Sequence, residues 1–302
     1  MDFDQCGVCL KENSLLKNTY QIKKVISKSE LSIVYMGENT KTGEIRVIKE
    51  FFPRELALRD LDNVTVISRL PSTKKKYEKL LKLFLNEADM LKGLDHKHIV
   101  TYYDHFEENG SAYIVMEHCE GKPLDRYVKD HQEGNQSLFF YKMLLALISA
   151  LNYIHKQGII HRDIKPGNII IDNEGKPRIL DFGSAVYYEK EHKHMIFTTT
   201  GYSPLEFYSE NSRQGTYSDI YSLAATFYYT LSGIVPTDIS KRIIEDRMSS
   251  VRKHNPKVSP ILSSIIMWAL AIQSEKRCFS LRFLRVSILL EIFVVKIKAT
   301  LK

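Results

Sequence analysis

Apolar and polar residues alternate in short runs through the first third of the chain. Tyr20–Ile26, Ser32–Glu38 and Ile45–Lys49 carry the two-residue period of strands, and Asn39-Thr-Lys-Thr-Gly43 supplies a polar hairpin turn between the last two. The period then changes. Leu80, Leu81, Phe84, Ala88 and Leu91 recur every three to four residues and predict a helix over Lys79–Leu94. Ile99–Phe106 and Ala112–Met116 read again as strands, flanking the turn Glu107-Glu-Asn-Gly110. Past Gly121 helical patterning dominates. Leu138–Gln157 is apolar on most faces and ends at Gly158, and Ser218–Leu231, with small Ser222, Ala224 and Ala225, ends near Gly233. Arg54–Lys79 stands out as a polar insertion containing Lys74-Lys-Lys76. The pattern predicts an α+β chain: a small strand-rich lobe with one main helix, joined to a larger, mostly helical lobe.

Composition narrows the class. The 302 residues are 44% hydrophobic and 26% charged, which fits a globular protein and excludes a disordered tail or a fibre. No unbroken apolar run has the length of a membrane span; Ile261–Ile272 is short and holds two serines. The acidic start, MDFDQCGVCL, lacks the basic region of an export signal, so a cytoplasmic protein is expected. Four cysteines, with a single CxxC at Cys6 and Cys9, support neither a disulfide framework nor a zinc ribbon. The net charge of +7 is uneven: Lys241–Lys302 holds 13 Lys or Arg against 4 Asp or Glu, and the preceding residues sum to −2. Solvated faces of C-terminal helices account for this, with an acidic partner or an anionic membrane as the second reading. A basic excess spread so thinly is no nucleic-acid footprint.

The densest chemical signal is Ile160-His-Arg-Asp-Ile-Lys-Pro-Gly-Asn-Ile-Ile-Ile171, followed by Leu180-Asp-Phe-Gly183. Moving a nucleotide's terminal phosphoryl group needs a carboxylate to accept or orient the hydroxyl proton of the nucleophile, a role that suits Asp163. Lys165 can neutralise charge on the group in flight, and Asn168 and Asp181 offer the hard oxygens that Mg²⁺ prefers. A turn rich in Asp, Asn, Gly and Pro could arise for conformational reasons alone. Two such motifs in this order and separation leave that explanation little room.

On these residues the sequence resembles a protein kinase, for which HRD with DFG is the central pair. Lys165 resembles the serine/threonine branch. Ile48-Lys-Glu-Phe-Phe-Pro53, Glu55-Leu-Ala-Leu-Arg59, Gly201-Tyr-Ser-Pro and Ser218-Asp-Ile-Tyr-Ser-Leu-Ala-Ala-Thr226 resemble bacterial kinases of the "KEFFP" type, from about Asn13 to Leu284. The resemblance implies a tail at 1–19, an N-lobe at 20–116, a C-lobe at 117–285 and a basic apolar segment at 286–302. It implies ATP with Mg²⁺, Mn²⁺ being the second candidate, and a protein Ser/Thr acceptor, this chain itself included.

Carried over position by position, the resemblance makes Lys49 the lysine that holds the α/β-phosphates and Glu87 its ion-pair partner. Met116 falls at the gatekeeper position, and Glu117 to Cys119 at the hinge whose backbone bonds adenine. Val34 would cover the adenine from one side and Ile170 from the other, with Val47 in the same nucleotide-lining set. Asp219 matches the buried aspartate that braces the HRD loop, and Glu206 with Arg277 the pair that ties the activation segment to the late helices. Thr199 matches the threonine that bonds the catalytic Asp and Lys, which leaves Thr198 and Thr200 as candidate phosphosites read by Arg162.

The sequence departs from the pattern in the phosphate-covering loop. Ser27-Lys-Ser-Glu-Leu-Ser-Ile-Val34 has serine at all three glycine positions, Ser27, Ser29 and Ser32. If those positions need φ > 0, each serine costs about 1 kcal/mol, and the lid on ATP is weakened. Restoring glycine is then expected to raise kcat/KM for ATP roughly tenfold to hundredfold, Ser29 contributing most. Leu205 replaces the proline of the APE motif. Beyond Leu284 the pattern dissolves into an apolar stretch with interspersed charge, either a last packed helix, the preferred reading, or a membrane-surface segment. Two functions stand: an active serine/threonine kinase, supported by all six charged or amide groups the chemistry needs, and a pseudokinase acting as a nucleotide-responsive binding or scaffold module, supported by the serine loop.

Overall fold

The computed structural model describes residues 7–131, 137–188 and 195–300, and the chain forms two compact units. The smaller holds residues up to Asp95 together with Val100–His118; the larger holds His96–Ile99 and the chain from Cys119 on.

In the smaller unit the chain runs β1 (Leu15–Leu16), β2 (Tyr20–Lys28), β3 (Ser32–Asn39), β4 (Ile45–Phe51), β5 (Ala57–Arg59), β6 (Val66–Ser68), α1 (Lys74–Lys92), β7 (Tyr102–Glu108) and β8 (Ser111–Glu117). Six of the strands form one antiparallel sheet in the order β1-β2-β3-β4-β8-β7. Its register sorts the side chains. Val34 pairs with Lys49, Met36 with Val47, and Val47 with Met116, so these residues share one face. Tyr35, Ile48, Glu50 and Tyr113 share the other, where all four are fully buried. Helix α1 packs on the first face, Phe84 and Tyr77 meeting Phe51 at ring-centroid distances of 5.5 and 5.1 Å.

Four expectations change here. Helix α1 begins at Lys74, so the lysine run forms its first turn. Cations at a helix N-terminus oppose the helix dipole, which is why the sequence reads as loop there; the 3₁₀ turn Pro71–Thr73 leads the chain in regardless. The insertion contributes an ordered arm, β5 paired with β6. The expected tail is packed: Leu10 and Leu16 are buried, and β1 pairs with β2. The strand expected from Ile99 begins at Tyr102, because Ile99 bridges Ile179 in the larger unit. The β7–β8 turn has Asn109 at φ 54 and Gly110 at φ 69, the double left-handed geometry of a two-residue hairpin. Its Asn109 carbonyl accepts from Val66 N at 2.7 Å, and a Cβ on Gly110 would lie 2.3 Å from Val66 O.

The larger unit contains β9 (Gly121–Pro123), α2 (Leu124–Asp130), α3 (Ser137–Lys156), β10 (Ile159–Ile160), β11 (Ile169–Asp172), β12 (Pro177–Ile179), β13 (Val186–Tyr187), α4 (Thr216–Ser232), α5 (Ile239–Ile244), α6 (Val251–His254), α7 (Pro260–Ala269) and α8 (Leu281–Thr300). Strands β12, β11 and β9 make a small sheet, and β10 pairs with β13. From Ser218 to Leu231, α4 is buried on all sides, which explains its small residues. It stops where Gly233 turns left-handed, φ 74, and caps Tyr229 O at 2.8 Å. Helix α3 is long and apolar enough by length and composition to cross a membrane, yet it forms core, burying Leu144, Leu147, Leu151 and Ile154. Helix α8 runs through position 286 without a break. Leu281, Leu284 and Ile288 on it are buried, whereas most of its described side chains from Leu289 on are exposed.

Candidate active site

Each unit holds its own half of the chemistry. In the smaller, β4 presents Lys49 toward α1, where Nζ meets Glu87 Oε1 at 2.7 Å and Oε2 at 2.9 Å. Both residues are buried, at 8% and 3% exposure. A buried ammonium needs such a partner, and its grip on both oxygens sets where the lysine points. Val34, Val47 and Met116 line the same sheet face as Lys49. Glu117 anchors the end of β8, its Oε2 accepting from Thr101 Oγ1 at 2.9 Å. Cys119, half-buried and outside any disulfide, begins the larger unit.

One residue along β4, Glu50 points to the opposite face and builds a network that sequence reading missed. Arg59 of the arm donates Nη1 to Glu50 Oε1 at 2.7 Å and Nη2 to Oε2 at 2.8 Å. Its other N–H groups reach Val8 O and Val64 O, so all five donors are used. Tyr35 Oη at 2.7 Å and Tyr113 Oη at 3.0 Å donate to the same carboxylate. Burial first, and the Glu50 charge second, push both phenols far above their usual range. A charge next to Lys49 on a strand must face the other way, and that alternation was the available signal.

The serine loop is closed on itself. Ser29 N donates to Ser32 O at 2.8 Å, Ser32 N to Ser29 Oγ at 3.0 Å, and the two hydroxyls lie 2.9 Å apart. The tip is pinned from outside by Phe52 N to Leu31 O, 2.8 Å, and Arg54 N to Glu30 O, 3.0 Å. None of Ser27, Ser29 or Ser32 is among the left-handed residues. The expected strain is therefore absent: the backbone path here suits an L-residue, and side-chain hydrogen bonds hold it.

In the larger unit the HRD loop gathers the remaining groups. Asp163 Oδ1 accepts from Thr199 Oγ1 at 3.0 Å, and Oδ2 from Asn168 Nδ2 at 2.7 Å and Lys165 Nζ at 2.8 Å. Lys165 also donates to Thr199 Oγ1 at 3.1 Å. Thr199 is thus engaged and half-buried, whereas Thr198 and Thr200 are exposed. The Asn168 amide nitrogen is turned to Asp163, so its oxygen points away, and Asp181 adds a carboxylate. Two hard-oxygen side chains fit Mg²⁺ held jointly with phosphate oxygens. Among the described residues no cluster of three His, Cys, Asp or Glu could bind a metal unaided; Cys6 of the CxxC lies outside the described residues. Ile170, half-buried on β11, pairs with Pro123 and Arg178.

Backbone strain marks the same loops. Arg162, φ 67, and Asp181, φ 46, are the left-handed non-glycine residues described in this unit. Each costs about 1–2 kcal/mol and needs a surrounding that enforces it. Asp219 enforces the first: its oxygens accept from His161 N and Arg162 N, both at 2.8 Å, and from His155 Nε2 at 2.9 Å. Burial alone would raise this carboxyl, but the bond to His155 and the charges of His155 and His161 outweigh it and hold the group below its usual range. Phe182 enforces the second, buried against His161 at 4.6 Å while His161 Nε2 meets Leu180 O at 3.1 Å. Arg162 itself donates to Ser184 O and Met195 O, and Arg277 holds Glu206 at 2.7 Å as the resemblance implies. His155 is a contributor that no sequence motif flags.

The chain is similar to known proteins. Residues 20–285 match the protein kinase domain. Serine/threonine-protein kinase PrkC of Bacillus subtilis is 29% identical over 85% of this chain and 38% of its own length. The probable serine/threonine-protein kinase PknB of Lactococcus lactis is 26% identical over 87% of this chain and 40% of its own, and sperm motility kinase 2A of Mus musculus 29% over 64% and 42%. The chain thus spans about two fifths of these relatives. The solved structure "PpkA-294 apo form" superposes with a TM-score of 0.80 at 29% identity, covering 93% of this chain and 99% of that one. With the match spanning residues 20–285, this chain belongs to the protein kinase domain family.

Proposed function

We propose that the chain is an active serine/threonine protein kinase. The observation that carries this is the Asp163–Lys165–Thr199–Asn168 constellation, in which one carboxylate is oriented by three donors. When bound, ATP supplies its terminal phosphoryl group and Mg²⁺ screens the charge on it. Asp163 takes the proton of a substrate Ser or Thr hydroxyl and aims that oxygen. Lys165 holds positive charge beside the reacting oxygens, Asn168 and Asp181 hold the metal, and Lys49, kept in place by Glu87, binds phosphate oxygens. Val34, Val47, Met116, the hinge from Glu117 to Cys119, and Ile170 are the proposed adenine contacts.

The test is Mg²⁺-dependent incorporation of label from γ-labelled ATP into the chain itself and into a Ser/Thr-rich acceptor protein. Label in wild type, lost in Asp163→Asn, is the expected result. The pseudokinase reading draws on the inward-turned Ser29 and Ser32. A folded wild type that binds nucleotide yet incorporates no label with either Mg²⁺ or Mn²⁺ would replace the kinase reading with that one.

A further inference from the structure

Helix α8 is apolar on two sides. One side is core, through Leu281, Leu284 and Ile288. On the other, Phe279, just ahead of the helix, and then Phe283, Val286, Leu290, Phe293 and Ile297 form a continuous row at spacings of three and four, each at least 40% exposed. Leu289 and Val294, also exposed, broaden this row beyond the narrow seam of a coiled coil. At its start Phe279 and Phe283 join Trp268 of α7 in an edge-to-face cluster, with centroids 5.2–6.3 Å apart.

Charge is arranged to match. Arg282, Arg285, Lys296 and Lys298 are exposed along the helix, and among the described residues no ion pair engages them. The helix has one carboxylate, Glu291, and it is buried, accepting from Ser259 N at 2.9 Å. Beside the row, a groove of about 520 Å³ between α3 and α8 is lined by Leu145, Ile148 and Leu289 together with Lys156, Arg282 and Arg285. We infer that this outer face of α8, with the adjoining groove, docks on an anionic phospholipid surface: the aromatic and aliphatic row enters the interface while the four cations and Lys156 meet lipid phosphates. Pairing with a second copy would set one row of cations against another with no exposed carboxylate between them, in either helix direction.

The experiment uses the full chain and co-sedimentation with vesicles of phosphatidylcholine mixed with phosphatidylglycerol, against phosphatidylcholine alone. Binding to the mixed vesicles only, weakened by added salt, is expected. Arg282→Gln with Arg285→Gln should reduce partitioning about fivefold per cation removed. Val286→Ser with Leu290→Ser and Phe293→Ser should abolish it, with the melting temperature and nucleotide affinity unchanged because these side chains are exposed. No binding to the anionic vesicles, or equal binding to both kinds, overturns the inference. So does a lipid-free dimer that dissociates in the triple-serine variant, or capture of an acidic helical peptide in preference to vesicles.

Discussion

Two loops in this molecule meet the same family pattern in opposite ways. The HRD loop keeps every side chain of its motif, and a buried aspartate holds its backbone in a strained conformation. The serine loop has lost every glycine of its motif, yet its backbone is unstrained and bonds to itself. The first has to deliver particular functional groups, so residue identity is dictated. The second has to deliver a backbone path, and here a pair of hydroxyls and two external backbone hydrogen bonds set that path without glycine.

Removing the group on which the first loop converges is the strongest way to test this contrast. Asp163→Asn should lower turnover by about 10²–10⁴ while fold and nucleotide binding persist, measured by label transfer and calorimetry. Turnover near wild type would show that the loop's side chains are not dictated after all.

Next in size is the buried Arg59–Glu50 pair, on the sheet face opposite Lys49. Arg59→Ala leaves Glu50 buried without its cation, and a loss of about 3–5 kcal/mol is expected in denaturant unfolding. Glu50→Gln combined with Arg59→Met should recover much of it. If the single variant is as stable as wild type, the network is ornamental and the arm is not what orders this side of the sheet.

Asp219→Asn addresses the brace. An amide cannot accept from all three donors, so about 1–3 kcal/mol should be lost. The pH dependence has a definite sign. The folded carboxyl sits below its unfolded value near ~3.9, so its contribution is complete above that value and disappears as pH falls through the lower folded one. The stability gap between wild type and Asp219→Asn should therefore close in strong acid, below the ordinary carboxylate range. A gap that widened in acid would reverse the assignment.

The smallest effect belongs to the serine loop. With no left-handed backbone to relieve, Ser29→Gly removes hydrogen bonds and adds flexibility, about 0.5–1 kcal/mol. kcat/KM for ATP should move by less than about tenfold, with faster amide exchange at residues 28–33. A hundredfold gain would mean that the serines obstruct the phosphates.

Groups at fixed spacing could be read from the sequence as neighbours: Asp163, Asn168 and Thr199 do meet in the structure, and the long helices follow their period. What stayed hidden depends on which face a residue takes or on a contact far along the chain. Glu50 sits beside Lys49 but belongs to the opposite face, and its partner lies in a stretch whose polarity suggests a loop. His155 closes on Asp219 from a helix read only as core. The lysines at 74–76 oppose the helix they begin, so local electrostatics pointed away from the tertiary outcome.

Gly110 ties the histories of two segments together. The arm's Val66 carbonyl occupies the space that a side chain at 110 would take, and Asn109 pairs with Val66 N. Once the arm was seated, position 110 could no longer drift: asparagine would tolerate the turn's left-handed angle but still collide with the arm. A descendant could change that glycine only after shedding or moving the arm, so the order of the two substitutions matters and one of the two routes is closed. That is sign epistasis between a hairpin tip and a strand more than forty positions away, and it predicts that chains retaining the arm retain the glycine, while those without it are free to vary there.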